Sequence, residues 1–401
     1  MSKKRILILN DGSAYENWGI KACIDGLKNI LKKTCPEYEI DGIPHSYMHK
    51  KYFCEPTLFG RKIFNDNSRI AKRILKDFHL LPRVADEYEY IAELWLSGNG
   101  GVGANDFIEK IQKYDVLIFN AEGSTYRDNI GAMKGLFMLW LAKTKFRKKS
   151  YFLNGSVTLT LVDSILPAMI RKVFSTIDGA AVRESYSQKN IYNFYPELSN
   201  IQMFPDSVYS LDFDKSRLTG KVKRLGFIDK DFFCFSLSML PMDYKRSGEI
   251  SSLVYIIKEL KKIVPNAVLL AKDVEDQILK DVTKYTATHF VGANFDFKDV
   301  MSILSKAKFL FSGRYHHLIF ATKVGCPCIP MASSSHKIHG LSKLFEGLMP
   351  DPVDATDIWS EGNKIINLAQ NILSAKKMST NYYNKAEQLK KISFGHGKLV
   401  Y

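Results

Sequence analysis

An arginine and a histidine follow a short apolar run in the second half of this chain. The sequence reads Phe309-Leu-Phe-Ser-Gly-Arg-Tyr-His-His, which places Arg314 and His316 in the first turn of a predicted helix, directly after a predicted strand. Backbone N–H groups at the start of a helix have no helical acceptors and carry partial positive charge, so they stabilise an anion. Arg314 adds a planar fork suited to a carboxylate or phosphate, and His316 can transfer a proton near neutral pH. The pattern predicts an anion site, although an Arg314 paired with a structural carboxylate and a His316 satisfied in the core would give the same pattern.

Strand-like and helix-like segments alternate in both halves of the chain and must position these residues. In the first half, strands are predicted at 5–10, 115–120, 150–157, 180–183 and 201–204, and helices at 17–33, 130–145 and 161–174. A polar connection at 212–224 follows. In the second half, strands are predicted at 232–238, 267–271, 309–312 and 328–330, and helices at 249–263, 299–305 and 315–324.

The apolar runs are continuous rather than alternating, which is typical of strands covered on both faces in a parallel sheet. We therefore predict an α/β protein with two Rossmann-like domains facing a cleft, where the carboxyl ends of the strands would bind ligands. The predicted domains are residues 1–215 with a basic insertion at 44–110, residues 225–365, and a C-terminal helical segment at 366–401.

The charge balance favours an anionic partner. Across 401 residues, 57 Lys and Arg against 42 Asp and Glu give a net charge of +15. The basic residues are dispersed and no RNA-binding or zinc-finger pattern accompanies them, so we predict no nucleic-acid partner. Six cysteines without disulfide-like spacing are typical of a reducing compartment. Since no apolar segment approaches the ~20 residues of a membrane helix, the sequence predicts a cytoplasmic protein.

The basic insertion contains a candidate amphipathic helix. Its apolar residues recur at helical spacing and its basic residues fall mainly on the other side, the two sets being Ile70, Ile74, Phe78, Leu81 and Arg69, Lys72, Arg73, Lys76. Such a helix either packs on its own domain with a solvated basic face, or makes peripheral contact with an anionic membrane surface or a lipid-linked acceptor.

If this helix contacts anionic lipid, replacing its four basic residues by Gln should reduce co-sedimentation with acidic liposomes. Each Lys or Arg contributes roughly 1 kcal/mol near such a surface, and salt screens that attraction. Turnover of a short, soluble acceptor should not change. Equal sedimentation of the fourfold variant and the unaltered chain, at low and at high salt, would favour the self-packed helix.

The second half resembles the polysaccharide pyruvyl transferase family, whose C-terminal signature is roughly Ser-x-Arg-x-His, an apolar helix, Gly-x-Pro, a short loop and Lys. The matching residues here are Ser312, Arg314, His316, Gly325, Pro327 and Lys337. Weaker matches run through the first half at Asp115, Gly123-Ser124, Arg183-Glu184-Ser185, Ser187 and Pro205-Asp206. The resemblance spans most of the chain, from about Asn17 to Lys337.

The resemblance implies a GT-B-like fold, with an acceptor-side first domain and a donor-binding second domain. It implies transfer of a pyruvyl group from phosphoenolpyruvate to sugar hydroxyls in the biosynthesis of a bacterial-type surface polysaccharide, and no cofactor. By position, donor binding would fall to Arg183, Arg314, His316 and Lys337, and acceptor binding to Asn17, Gly123 and Ser124. His316 is then the candidate acid, and Asp206 or Glu184 would serve as base or orient Arg183.

One motif departs from the family pattern. The family opens with Asn-x-Gly-Asp after the first strand, whereas this chain has Asn17-Trp18-Gly19-Ile20. The missing carboxylate keeps two further functions open: a GT-B-type glycosyltransferase that uses a nucleotide-activated, acidic sugar, and a non-catalytic protein that binds anionic glycans.

Three other features are interpreted as structural. Gly98-Asn-Gly-Gly-Val-Gly103 fits a dinucleotide-binding motif literally, but the acidic residues in 87–96 make a poor buried strand before it, so we predict a mobile loop. Cys326-Pro-Cys328 predicts two buried thiols, since no second Cys or His pair lies at metal spacing. His317, His336 and His339 lie close in sequence without suitable partners, so no metal site is predicted.

Overall fold

The structure is a computed structural model that describes residues 3–48, 80–123, 125–162, 165–214, 218–238, 247–271, 276 and 278–401. The described chain forms two compact α/β units, each discontinuous in sequence. Unit 1 comprises Met1–Tyr15, Leu27–Phe204 and Phe394–Tyr401, and unit 2 comprises Glu16–Gly26 and Pro205–Ser393. The sequence does not predict that Glu16–Gly26 belongs to unit 2 and Phe394–Tyr401 to unit 1. The hydrophobic pattern runs through both segments without a break.

Unit 1 is built on a six-stranded, fully parallel sheet with the strand order β2-β1-β3-β5-β7-β8. The strands are β1 Lys4–Asp11, β2 Tyr38–Pro44, β3 Val116–Asn120, β5 Lys149–Gly155, β7 Gly179–Val182 and β8 Ile201–Met203, and a separate two-stranded pair is formed by β4 Thr125–Tyr126 and β6 Val157–Thr158. The helices are α1 Trp18–Thr34, which starts in unit 2, α2 His45–Met48, α3 Tyr88–Leu96, α4 Val102–Ile111, α5 Ile130–Phe146, α6 Leu166–Phe174, α7 Ser185–Phe194 and the terminal α16 Gly395–Lys398.

Unit 2 is built on a five-stranded parallel sheet with the order β11-β10-β9-β12-β13. Its strands are β9 Phe232–Ser238, β10 Asn266–Leu270, β11 His289–Val291, β12 Leu310–Gly313 and β13 Cys328–Pro330. Its helices are α8 Gly220–Lys223, α9 Ser247–Ile263, α10 Ile278–Thr286, α11 Phe297–Leu304, α12 Tyr315–Val324, α13 Lys337–Leu344, α14 Gly362–Ser374 and α15 Met378–Ser393.

Alternate residues of β9 point into different apolar clusters, as a strand covered on both faces requires. Phe233 and Phe235 belong to the cluster that includes α9 and α14, whereas Phe232 and Cys234 belong to the cluster that includes α11 and α12. All seven residues of β9 are buried. The prediction of parallel sheets with two covered faces is confirmed.

Every predicted strand is present, with ends within two residues of the predicted ones. The predicted helix at 161–174 is too long, since α6 begins at Leu166 and carries a proline in its first turn. A proline is tolerated there and not deeper in a helix, because it lacks an N–H group. The pattern misses the edge strands β2 and β11 and the two-residue strand β4.

The basic insertion is only partly described. Its helices α3 and α4 are present, and the glycine motif at 98–103 follows helix α3 rather than a strand, which excludes dinucleotide-motif geometry. The candidate amphipathic helix at Ile70–Leu81 lies outside the described residues, except for its last two positions. Within the described ranges, no helix is long and apolar enough to cross a membrane.

Candidate functional site

Arg314 lies at the strand-to-helix turn that the sequence predicts. Strand β12 ends at Gly313, and Arg314 is the N-cap residue of α12 with extended backbone angles. Its backbone N–H donates to Ser312 Oγ at 3.0 Å, and Ser312 Oγ also lies 2.6 Å from Ser236 Oγ on the neighbouring strand β9. These buried hydroxyls fix the turn from the strand into the helix.

The Arg314 guanidinium is buried and forms an ion pair with Asp276, a carboxylate with no exposed surface. The sequence left open whether Arg314 pairs with a structural carboxylate, and in the structure it does. The ion pair orients the guanidinium at the carboxyl edge of the sheet. The partner could not be predicted, because Asp276 lies 38 positions away and its contact with Arg314 exists only after folding.

His317, next to the proposed acid, is a buried and neutral histidine. Burial, followed by the positive charges of Arg314 and His316, lowers the pKa of His317 to about 3. Its Nδ1 lies 2.9 Å from Ser236 Oγ, and its ring packs 5.3 Å from the Trp18 ring. His317 therefore joins strand β9 to helix α1 and carries no charge near neutral pH.

His316 has a different environment from the rest of its helix. Nine of the ten residues of α12 are buried, whereas the His316 side chain keeps 19% of its surface exposed. Its Nε2 lies 3.1 Å from Cys23 Sγ and 3.7 Å from Asp206 Oδ2. A partly exposed imidazole beside a buried carboxylate and a thiol can hold a proton and transfer it to a ligand.

The first turn of helix α1 packs directly on the His316 ring. A Cβ atom placed on Gly19 would lie 2.1 Å from His316 Nδ1, so this close approach requires glycine. Asn17 caps the helix by accepting from the backbone N–H groups of Gly19 at 2.9 Å and Ile20 at 3.2 Å. The motif that departs from the family pattern therefore lies against His316.

Hydrogen bonds from the segment that follows Asp206 to helix α1 fix the position of Asp206 relative to Cys23. Asp206 caps the short 3-10 turn at Ser207–Ser210 by accepting from Val208 N–H at 3.0 Å. Ser207 Oγ donates to the Cys23 carbonyl at 2.8 Å, and Ser210 Oγ donates to the Gly26 carbonyl at 2.9 Å. The segment carrying Asp206 is thus fixed to the helix carrying Cys23.

Lys337 is the first residue of helix α13 and is half-buried. In the family signature the lysine follows a short loop, and here the loop after β13 ends just before Lys337, because His336 already has helical backbone angles. Strands β12 and β13 are parallel neighbours, so Arg314 and Lys337 both follow the carboxyl edge of the same sheet.

The remaining predicted residues lie in unit 1. Arg183 is buried, and its Nε donates to Ser156 Oγ at 2.8 Å. Glu184 is the N-cap of α7 and accepts from both the backbone N–H and the hydroxyl of Ser187, so its carboxylate has a structural partner at each oxygen. Gly123 lies beside Arg183, since a Cβ atom there would lie 3.2 Å from Nη2. Ser124 lies outside the described residues.

A group of buried amides at the carboxyl ends of unit 1 strands was not among the residues predicted from the sequence. Asn10, Asn120 and Asn154 end or nearly end β1, β3 and β5. Asn10 Nδ2 donates to the Asn120 carbonyl at 2.9 Å, Asn120 Nδ2 donates to Glu122 Oε1 at 3.1 Å, and His45 Nδ1 lies 2.6 Å from Asn10 Oδ1. The recurrence of Asn at the ends of buried strands was the available signal.

Two of these amide residues and Glu122 have left-handed backbone angles. The φ values are 66° at Asn10, 49° at Glu122 and 58° at Asn154. Such angles are uncommon outside glycine, and they turn the chain sharply at or near the carboxyl end of a strand. Backbone strain of this kind gathers at functional sites, where it directs polar groups toward a ligand.

The two thiols of the Cys-Pro-Cys sequence are buried, as predicted. Cys326 and Cys328 are 3% and 0% exposed and neither forms a disulfide. Burial raises the pKa of both thiols far above the usual range, so they stay protonated. They are core residues of unit 2.

Comparisons with known proteins agree with this architecture. A sequence model of the polysaccharide pyruvyl transferase family matches residues 22–335. None of the curated proteins matches this chain in sequence.

Solved structures with the same fold come from several bacteria. Anabaena Alr3699/HepE in complex with UDP-glucose superposes with a TM-score of 0.56 at 13% identity, covering 99% of both chains. A putative UDP-N-acetylglucosamine 2-epimerase from Listeria monocytogenes gives 0.58 at 10% identity, covering 98% of this chain and 94% of the other. The Neisseria meningitidis UDP-GlcNAc 2-epimerase bound to UDP-GlcNAc gives 0.56 at 12% identity, covering 100% and 98%. At these identities the likeness establishes the GT-B-like α/β fold alone.

Proposed function

Because the chain belongs to the polysaccharide pyruvyl transferase family and is therefore a transferase, we propose that it moves a pyruvyl group from phosphoenolpyruvate to two hydroxyls of a glycan. The observation that carries the proposal is the cation-rich carboxyl edge of the unit 2 sheet. There Arg314 and His316 follow one strand and Lys337 follows its parallel neighbour.

The reaction needs anion binding and proton transfer together. An acceptor hydroxyl adds to C2 of phosphoenolpyruvate and loses its proton while the methylene carbon gains one and becomes a methyl group. The C2–O bond to phosphate then breaks, inorganic phosphate leaves, and a second hydroxyl adds at C2 with loss of its proton to close a ketal. Cations must offset the charges of the donor's carboxylate and phosphate before a hydroxyl can approach.

We assign donor binding in unit 2 to Arg314 and Lys337, whose positive charges suit the carboxylate and phosphate of the donor. The His316 imidazolium is the proposed acid that protonates the methylene carbon, and the Asp206 carboxylate at 3.7 Å stabilises its charged form. Glu184 is assigned a capping role rather than that of a base, because both its oxygens accept from Ser187. The buried guanidinium of Arg183 stays a proposed donor-binding group.

Acceptor hydroxyls are proposed to bind in unit 1. Asn10, Asn120 and Asn154 bring amide donors and acceptors together at strand carboxyl ends, beside the Glu122 carboxylate. Such groups suit the alternating donors and acceptors of a sugar. Gly123 and Ser124 remain proposed acceptor residues from the family pattern. Asn17 also remains one, although it belongs to unit 2 and its side chain caps helix α1.

A nucleotide-sugar glycosyltransferase is the second candidate function. Two observations favour it: the solved structures of this fold include complexes with UDP-glucose and UDP-GlcNAc, and Ile20 replaces the acidic residue of the family's opening motif. A non-catalytic protein that binds anionic glycans would use the same cations without turnover.

A donor screen distinguishes the three functions. We expect phosphoenolpyruvate to raise the thermal midpoint of the full chain, with CMP-, UDP- and GDP-linked sugars giving no comparable rise, since binding to the folded state alone stabilises it. Pyruvate plus inorganic phosphate is the matched control for the two anionic parts. Ketal formation is then followed by release of phosphate and by the new methyl signal in the NMR spectrum of the glycan. Stabilisation by a nucleotide sugar alone would favour the glycosyltransferase, and stabilisation by no donor would favour the binding protein.

A further inference from the structure

A thiol, a carboxylate and an imidazole converge in unit 2 from three separate parts of the chain. Cys23 Sγ, an Asp206 carboxylate oxygen and a His316 ring nitrogen all lie within 4.8 Å of one another. Cys23 and Asp206 have no exposed surface, and His316 is partly exposed. The sequence features assessed above for metal binding do not include this group; they are Cys326-Pro-Cys328 and the histidines His317, His336 and His339.

The separations suit tetrahedral coordination. Zinc binds sulfur at about 2.3 Å and imidazole nitrogen or carboxylate oxygen at about 2.0–2.2 Å, which gives ligand-to-ligand distances of roughly 3.3–3.6 Å. Here Cys23 Sγ lies 3.1 Å from His316 Nε2. Asp206 Oδ2 lies 3.7 Å from each of these two atoms. Movements of a few tenths of an ångström would give all three atoms a common centre.

The charges also balance. A Zn²⁺ ion bound by a thiolate, a carboxylate and a neutral imidazole forms a site of zero net charge, which suits a buried position. The soft thiolate and the imidazole favour zinc over magnesium or calcium, which prefer all-oxygen ligand sets.

The surroundings hold the ligands in place. Asp206 is oriented by Val208 N–H, and the Cys23 carbonyl accepts from Ser207 Oγ. The absence of a side chain at Gly19 lets the His316 ring lie against helix α1. Hydrogen bonds and packing that orient the residues bound to a metal raise the affinity for that metal.

We propose that Cys23, Asp206 and His316 form a Zn²⁺ site with three protein ligands and a fourth position open on the exposed side of His316. Three protein ligands with an open position is the arrangement in which zinc binds water or an anion oxygen. With zinc bound, His316 Nε2 is a ligand and not a proton donor, so the acid role proposed above belongs to the zinc-free chain. The inference stands whether or not phosphoenolpyruvate is the donor.

Cobalt(II) substitution tests the site in the reduced, chelator-treated full chain without any donor. We expect one Co²⁺ per chain, a thiolate-to-cobalt charge-transfer band in the near ultraviolet, and displacement of that band by Zn²⁺. Cys23→Ser should abolish the band and weaken Zn²⁺ binding by more than about a hundredfold, since loss of an outer-shell partner alone costs 10–100-fold. Asp206→Asn, which can still accept from Val208 N–H, should keep the band and weaken binding.

Cys326→Ser is the matched control, because it removes another buried thiol of unit 2 and should leave the band unchanged. His316→Gln is the second test if Cys23→Ser does not fold, since His316 is the ligand with exposed surface and its loss leaves the helix core intact. A wild-type protein that shows no thiolate–cobalt band, or a band that survives Cys23→Ser, would overturn the proposal. Failure of pyruvyl transfer would not affect this result, because no donor is present.

Discussion

Replacing His316 by Gln should lower kcat by roughly 10²- to 10⁴-fold, the range that a positioned acid or base contributes. The physical reason is that glutamine occupies a similar space and keeps a hydrogen-bonding group but cannot release a proton. Because His316 is the partly exposed residue of an otherwise buried helix, the substitution should leave the thermal midpoint almost unchanged. Turnover is measured as phosphate release from phosphoenolpyruvate in the presence of the glycan acceptor.

His339→Gln is the matched control, because His339 is an exposed histidine of unit 2 on helix α13. It should keep wild-type kcat. A His316→Gln enzyme with kcat near that of the control would remove His316 from the proposed mechanism.

Arg314→Ala is a less informative variant, since it would leave the buried Asp276 carboxylate without its guanidinium partner and so combine a binding defect with a loss of stability.

Gly19→Ala should reduce turnover by about a hundredfold while changing stability little. Helix propensity alone favours alanine over glycine by about 1 kcal/mol within a helix, so the sequence would suggest a harmless or stabilising change. In the folded protein the added Cβ would lie 2.1 Å from His316 Nδ1, and the ring must turn away from Cys23 and Asp206 to avoid it. Displacement of a reacting group by about 1 Å can cost 10²-fold in rate.

Gly220→Ala is the matched control for this second prediction, because a Cβ atom at Gly220 would have nothing within 4 Å. Both variants are compared by kcat and by thermal midpoint. The interpretation of Gly19 as a positioning residue would fail if Gly19→Ala kept wild-type kcat, or if it lost its fold rather than its activity.

The sequence by itself determined the local architecture. Continuous apolar runs separated by helical periodicity predicted most strands of both sheets and their parallel arrangement, because a strand covered on both faces has apolar residues at nearly every position. The same local reasoning placed Arg314 and His316 at the start of a helix after a strand, and the structure places Arg314 at the N-cap and His316 in the first turn. Caps and strand ends depend on a few neighbouring residues, so they can be read from one stretch of chain.

Only the tertiary structure decided what surrounds those residues. Cys23 and His316 are 293 positions apart, Cys23 and Asp206 are 183 apart, and Arg314 and Asp276 are 38 apart. No local pattern specifies these pairs. The two pairs that include Cys23 arise when helix α1 packs against α12 and the 3-10 turn at Ser207–Ser210. Packing also made His317 a neutral core residue while its neighbour His316 stayed partly exposed. Burial of a side chain depends on every element around it, and for this reason the chemistry of the site follows from the fold and not from the motif alone.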